Sequence, residues 1–416
     1  MKVLQINVFH YRLGGSETVY FSTSDLLRQN GNEVAHFALK WNKNLPSQQA
    51  LFFAESKESR KGLLKSFFNV VNYFYNFDAR KKIEGLIKAE KPDVAQIHLF
   101  WGQITPSILP VLKKYHIPVI FTIHEYRMVC PAYTFRNGRG CVCEACKGKY
   151  FFNCFLLKCC KGSWLMSAVM AAEQYFRNFF FNPVKYIDGL MYVSHFAKKM
   201  HEKYMPKLAE KPNIVLHNLS KGFVEKPKKT IPSNKYILYF GRLSYEKGVR
   251  TLLEAVVGLS DCNLKVVGTG DCESELKAFA KKRSLGNVEF LGFKTGLPLK
   301  ELVDNAYFIV VPSEWYENNP MTVIEGFSSA VPVIGAAIGG IPEIVQDGRT
   351  GFLFESGSVA DLKRCLEKAL SLTNEEYALL SENALNFAKD EFNQEKYYPK
   401  LKDFYESVLK TIDRNV

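Results

Sequence analysis

Two acids, Glu317 and Glu325, stand with seven residues between them inside Pro312–Glu343, PSEWYENNPMTVIEGFSSAVPVIGAAIGGIPE. The apolar run Tyr307–Val311 stops at Pro312, which puts the segment at the carboxyl end of an expected buried strand. Asn318-Asn319-Pro320 reads as a turn followed by a proline suited to the first position of a helix. The first turn of that helix is expected to present the backbone N–H groups of Met321, Thr322 and Val323, together with the positive end of its dipole. Such a terminus binds anions. One acid is placed to grip hydroxyls of a neutral polyol and the other a ribose, with a phosphate held between them. Taken alone, acids at this spacing more often describe a helix cap and a solvated helix position.

A second charged loop changes that balance. Gly241-Arg-Leu-Ser-Tyr-Glu-Lys-Gly248 follows the expected strand Lys235–Phe240. Arg242 and Lys247 can clamp a diphosphate, the arginine as a bidentate fork and the lysine as a mobile point charge.

The stretch PSEWYENNPMTVIEGFSSAVPVIGAAIGGIPEIVQDGRTGFLF, taken with GRLSYEKG, resembles the donor-sugar segment and diphosphate clamp of the retaining family-four glycosyltransferases. The resemblance runs through nearly the whole chain. It implies an α/β protein of the GT-B type, two Rossmann-like doubly wound domains facing a cleft. It also implies a nucleoside-diphosphate sugar as donor, of UDP or GDP type. By this resemblance Glu325 meets the ribose, Arg242 and Lys247 the diphosphate, and Glu317 with the amides of Asn319, Met321 and Thr322 the sugar and its phosphate. The loop at Gly14-Gly15 would face both the donor diphosphate and the acceptor. His124 would approach the transferred sugar, with Glu125 where relatives carry Asp. Glu317 and His124 are thus the expected catalytic pair. The reaction implied is front-face transfer with retention, the departing phosphate assisting deprotonation. No D-x-D motif is placed for a divalent ion, so no catalytic metal is expected.

Positioning these loops calls for two α/β series. The first runs from the strand Lys2–Phe9 through Gly14-Gly15 into a helix at Thr18–Gln29. Strands follow at Glu33–Leu39, Val94–His98, Pro118–Ile123, Gly189–Val193 and Ile214–Leu216. Polar, proline-broken Ser220–Ser233 reads as a linker. A second series has strands at Lys235–Phe240, Leu264–Val267, Val288–Leu291, Phe308–Val311 and Val331–Gly335, with a long helix at Asn374–Val408. The expected division is 1–222 for an acceptor domain and 223–394 for a donor domain, with 395–416 crossing back to the first.

The chain of 416 residues is long enough for two cores, and its net charge is +13. Residues 1–222 hold 31 Lys+Arg against 15 Asp+Glu, whereas 223–416 hold 24 against 27. A basic amino-terminal half suits an anionic partner such as a membrane surface, or simply solvated lysines. No apolar run reaches the length of a membrane span. The amino terminus reads as a strand rather than a secretory signal. A cytoplasmic protein, peripheral at the inner face of the cell membrane, is the expectation. For the aromatic stretches Lys61–Arg80 and Ser163–Phe181, core burial and a membrane-surface helix both fit.

Seven of the ten cysteines fall in 130–160. Cys143-x2-Cys146-x7-Cys154-x4-Cys159 has paired spacing suited to tetrahedral Zn2+. Buried free thiols and redox use are the alternatives. A closed tetrathiolate would be structural rather than catalytic.

The function expected is transfer of a sugar to a saccharide, by analogy lipid-linked, in surface-polysaccharide assembly. A nucleotide-sugar epimerase or phosphorylase would use a similar double sheet. A zinc-containing nucleic-acid-binding protein would explain the basic half and the cysteines, but not the second domain's loops; nucleic acid is therefore not an expected partner.

Overall fold

A computed structural model describes residues 1–56 and 71–413. The chain forms two compact units, Met1–Leu216 with Tyr397–Val416, and His217–Lys396. Half of the aromatic stretch 61–80, residues 61–70, lies outside the described residues.

The first unit is a six-stranded parallel sheet of β1 (Lys2–Ile6), β2 (Glu33–Phe37), β3 (Val94–Ile97), β4 (Val119–Ile123), β5 (Gly189–Tyr192) and β6 (Asn213–Val215). Their spatial order is β2-β1-β3-β4-β5-β6. The order reverses between β1 and β3, and the loops leaving the carboxyl ends of strands at such a point are where doubly wound sheets bind ligands. The central strands are apolar on both faces because helices cover both sides of a parallel sheet.

The second unit repeats the plan with β7 (Ile237–Phe240), β8 (Leu264–Val267), β9 (Val288–Gly292), β10 (Phe308–Val311), β11 (Val333–Ala336) and β12 (Gly351–Phe354). Its order is β9-β8-β7-β10-β11-β12, all parallel. Ile237 and Tyr239 enter one core, Leu238 and Phe240 the other, as the two-residue period of a strand requires. The reversal falls between β7 and β10, which lead into the GRLSYEKG and PSEWYENNP loops.

Three sequence expectations need correction. Strand β12 was not expected. The long helix expected at 374–408 is two helices, Asn374–Glu391 and Gln394–Asp413. They break where Phe392 drops fully buried into the second unit's core and its carbonyl accepts from Ser220 N–H. The stretch Ser220–Ser233 is not a loose tether. Val224 N–H donates to Ser328, Lys228 N–H to the Ser381 hydroxyl and Ile231 N–H to Asn374, so it is laced to its own unit.

The helix Trp164–Phe180 is amphipathic with its faces exchanged. Its buried residues are Ser167, Ala171, Glu173, Gln174 and Arg177. Leu165 is 76% exposed, Phe179 81% and Phe180 58%. The buried charges are paired internally: Arg177 Nε lies 3.0 Å from Glu173 Oε1, and Arg127 Nη2 3.5 Å from Glu173 Oε2. Arg177 also lies over the Trp101 ring at 4.3 Å, and Gln174 Nε2 donates to Met128 O at 2.8 Å.

Candidate active site

In the second unit, the GRLSYEKG loop turns back at Gly248, whose φ is +66°. A Cβ there would lie 1.8 Å from the Pro312 carbonyl oxygen. Only glycine lets this loop press against the end of β10. That contact brings Lys247 beside Glu317, with Nζ 2.6 Å from Oε1. Ser313 Oγ donates to the same carboxylate oxygen at 2.8 Å, and Lys247 Nζ lies 5.0 Å from the Trp315 ring centre. Glu317 is buried. Burial alone would push its carboxyl up, but the Lys247 ammonium and its hydrogen-bond donors prevail and hold it below the usual carboxylate range. Gly340 N–H donates to Glu317 O at 2.7 Å, and a Cβ on Gly339 (φ +62°) would lie 2.3 Å from that oxygen. The glycine pair thus backs the acid's main chain.

Arg242 stands at the start of the same loop, exposed, and makes no ion pair among the described residues. Its guanidinium is therefore open to solvent beside the Lys247–Glu317 pair's loop.

The helix Met321–Ser328 begins one residue later than expected, with Pro320 as its N-cap. Val323 N–H is already donated to Pro320 O at 3.1 Å, so it does not join the anion site expected of it. Met321 and Thr322 open the helix. Asn319 Oδ1 accepts from Asn218 N–H at 2.8 Å, and Asn218 Nδ2 donates to Asn319 O at 2.9 Å, which fixes the turn before the helix. Glu325 is half-buried in the helix, and burial raises its carboxyl, opposed by Lys221.

In the first unit, Gly14 caps the helix Gly15–Gln29, and both glycines are exposed. Glu17 beneath them is buried and raised by that burial. His124 follows β4. Its Nε2 lies 2.9 Å from His98 Nδ1, with the two rings stacked. His98 Nε2 lies 2.7 Å from Gln5 Oε1, and Gln5 Nε2 donates to Gln96 Oε1 at 2.7 Å. Tyr405 Oη, from the last helix, donates to the same Gln96 oxygen. Gln5, Gln96, His98 and Tyr405 are all fully buried. The direction of this chain follows from its last member. A buried phenol keeps its proton and needs an acceptor, so Gln96 and Gln5 turn oxygens toward Tyr405 and His98 in series. His98 then donates from Nε2 and accepts at Nδ1, which leaves the proton of His124 on Nε2. Burial pulls His124 down to about 4, so the imidazole is neutral near pH 7. Glu125 is pushed up to about 6 by burial, opposed by Arg127 and Arg177.

The chain was then compared with known proteins. Residues 13–218 match the model described as Glycosyltransferase Family 4, and 223–387 match Glycosyl transferases group 1. This chain belongs to the family-four glycosyltransferases. An uncharacterized glycosyltransferase of Methanocaldococcus jannaschii is 35% identical over 173 residues, 41% of this chain and 48% of that one. The sulfoquinovosyl transferase of Arabidopsis thaliana is 32% identical over 161 residues, 38% of this chain and 28% of that protein. The aligned part thus spans less than half of either relative. An uncharacterized 42.6 kDa protein in the cps region of Klebsiella pneumoniae is 22% identical over 371 residues, 83% of this chain and 87% of that one. Among solved structures, the Anabaena protein HepE in complex with UDP and glucose superposes with a TM-score of 0.67 at 15% identity, covering 98% of this chain and 100% of that one. The two parallel sheets of this chain are therefore those of the GT-B fold.

The chain also carries the cysteine segment. All ten cysteines are free thiols. Cys130, Cys143, Cys146, Cys154 and Cys159 line one cavity of about 10 Å³, together with Phe135 and Arg136. Cys143 and Cys154 both direct their thiols at Cys159, which pulls Cys159 below the ordinary thiol range. Among the described residues, no group of three or more His, Cys, Asp or Glu is already set for a metal ion.

The expected site residues thus fall into three places: Arg242, Lys247, Glu317, Asn319, Met321, Thr322 and Glu325 at the switch point of one sheet, Gly14, Gly15 and His124 at that of the other, and the thiols apart from both. The residues behind His124 were not anticipated. Gln5, Gln96 and His98 break otherwise apolar strands, and a polar side chain there needs a partner. That interruption is the one signal in the sequence that could have found them.

Proposed function

We propose that this glycosyltransferase moves a sugar from a nucleoside-diphosphate donor, of UDP or GDP type, to a saccharide acceptor with retention of configuration. The observation that carries the reading is the Lys247–Glu317 pair at the mouth of the Met321–Ser328 helix, with the open guanidinium of Arg242 on the same loop. Two cations and the amides of Met321 and Thr322 meet a diphosphate, Glu325 a ribose, and Glu317 the sugar hydroxyls. In the reaction the bond from C1 to the phosphate oxygen breaks. The acceptor oxygen bonds C1 on the same face, its proton passing to the departing phosphate. Neutralising that leaving group is where the rate is gained. His124, neutral and held in one tautomer, meets the sugar from the acceptor side with Gly14-Gly15. The solved relative crystallised with UDP and glucose supports the donor class.

The setting we propose is surface-polysaccharide assembly on a lipid-linked acceptor. The cps-region relative and a colanic acid biosynthesis glycosyltransferase of Escherichia coli favour it. The exchanged faces of the Trp164–Phe180 helix favour a membrane-facing surface. Between Glu144 and Glu173 the chain has four lysines and no acid, and Tyr150, Phe152, Leu156, Trp164 and Leu165 are exposed there. Aromatic side chains flanked by lysines suit the headgroup layer of anionic lipid.

Two experiments test these readings. Incubation with UDP- and GDP-sugars should release nucleoside diphosphate from one donor class, with an α-linked donor giving an α-linked product by NMR. Glu317→Ala should abolish release while remaining folded; unchanged turnover would remove Glu317 from the site. Vesicles of anionic lipid should sediment the protein and high salt should free it. A protein that stays in the supernatant with every lipid mixture would end the membrane reading alone.

A further inference from the structure

We propose that Cys143, Cys146, Cys154 and Cys159 form a structural tetrathiolate Zn2+ site that staples the segment 130–160, with Cys130 as a buried neighbour. The first ground is convergence. These five cysteines, spread over thirty positions of sequence, all line a single small cavity. Buried thiols with no common purpose have no reason to share one void, since each packs equally well among apolar side chains.

The second ground is spacing in the chain. Cys143-x2-Cys146-x7-Cys154-x4-Cys159 presents its thiols in pairs, as tetrahedral Zn2+ sites do, and none of them is in a disulfide. The thiols are not yet gathered on one point. Metal entry draws them together: four thiols release four protons as one Zn2+ binds, leaving a complex of net charge −2. Arg136 on the cavity wall and the flanking Lys147, Lys149 and Lys158 offset that charge.

The third ground is need. Between Ile123 and Trp164 regular structure amounts to the single bridge Arg136–Val142, one turn at Lys147–Lys149 and the short helix Phe152–Leu156. Gly138 N–H to Leu157 O, Cys143 N–H to Phe135 O and Asn153 Nδ2 to Ala145 O are among the few bonds that tie it across. A segment this long with so little ladder usually has a function or a cross-link. The metal would supply the cross-link.

The test is metal analysis of the full chain purified under reducing conditions without added metal. About one Zn2+ per chain is expected, released with a stoichiometric thiol titrant, and Co2+ replacement should give the intense thiolate-to-cobalt absorption of a tetrahedral site. Cys143→Ser and Cys154→Ser should each lose at least ten-fold in metal affinity. Cys141→Ser, exposed and outside the cavity, should keep it. If the serine variants fail to fold, titrating wild-type protein with a thiol reagent decides: protection of four thiols, lost on chelation, supports the site. A reduced protein that takes up no Zn2+ or Co2+, or one whose metal is lost equally on Cys141→Ser, overturns it. Transfer activity from the donor is unaffected by either result, so this proposal can fail while the glycosyltransferase reading stands.

Discussion

Lys247 and Glu317 come from loops that leave neighbouring strands on either side of a switch point, and their side chains meet at 2.6 Å. Two residues expected to hold different parts of a donor therefore hold each other first. Lys247→Met should cost about 3 kcal/mol by leaving a buried carboxylate without its partner. Adding Glu317→Gln should recover most of that stability but none of the activity. Because Glu317 is held below its unfolded value, the pair's contribution is present above the usual carboxylate range and is lost as pH falls through the folded value. Denaturant unfolding of the single and double variants, at neutral and acid pH, checks both points.

Among the described residues Arg242 has no such partner, and its removal should read out only on ligand. Arg242→Ala should weaken nucleoside diphosphate binding by about 1.5–3 kcal/mol, the range of a charge-assisted hydrogen bond. Binding of the bare nucleoside and the unfolding midpoint should hardly change. Calorimetric titration with the two ligands separates the outcomes, and equal loss for both would refute the clamp.

Acid should weaken the first unit through its histidines. Burial pulls His10, His124 and His201 down to about 4 and holds His36 and His98 well below their usual value. The folded values lie below the unfolded one near 6.5, so the unfolded chain takes up protons that the fold refuses. Stability should be full above about pH 6.5 and fall steadily toward pH 4. Thermal unfolding followed across that range should show the decline. A flat profile would mean that these imidazoles are charged inside the fold.

The helix Trp164–Phe180 should respond to mutation in reverse of an ordinary surface helix. Phe179→Ser and Phe180→Ser, on the exposed face, should change stability by no more than about 0.5 kcal/mol. Glu173→Ala should cost about 3–5 kcal/mol, because two buried guanidinium groups lose their common carboxylate. Parallel urea titrations of the three variants settle the comparison.

Most of the frame was legible because long apolar runs such as Phe308–Val311 and Pro118–Ile123 admit few other readings. The Gly351–Phe354 strand was hidden because it opens on a glycine after a glycine-bearing turn, which leaves an apolar run of only three residues. The exchanged faces of Trp164–Phe180 were hidden for a different reason: its periodicity is helical either way, and only the partners Arg127 and Trp101, distant in sequence, decide which face turns inward. In the candidate site, Arg242, Lys247 and Glu317 could be found from spacing on single loops. The support for His124 could not, because Gln5, the Gln96–His98 pair and Tyr405 come from three separate elements and meet only in the folded sheet.

Tyr405 also bears on how the chain is made. The first unit begins at Met1 but is finished by a helix that includes Tyr405, near the far end of the chain, with all of the second unit between. Until that helix leaves the ribosome, Gln96 in the middle of the first sheet lacks one of its buried hydrogen bonds, and Gly189 lies open where Val408 and Phe404 will pack. The second unit, continuous in sequence, can complete its fold during synthesis, whereas the first must wait half-closed with apolar surface showing. In the growing chain the order of folding thus runs opposite to the order of translation, and the first unit's exposed state is the stage at which a chaperone would be needed most.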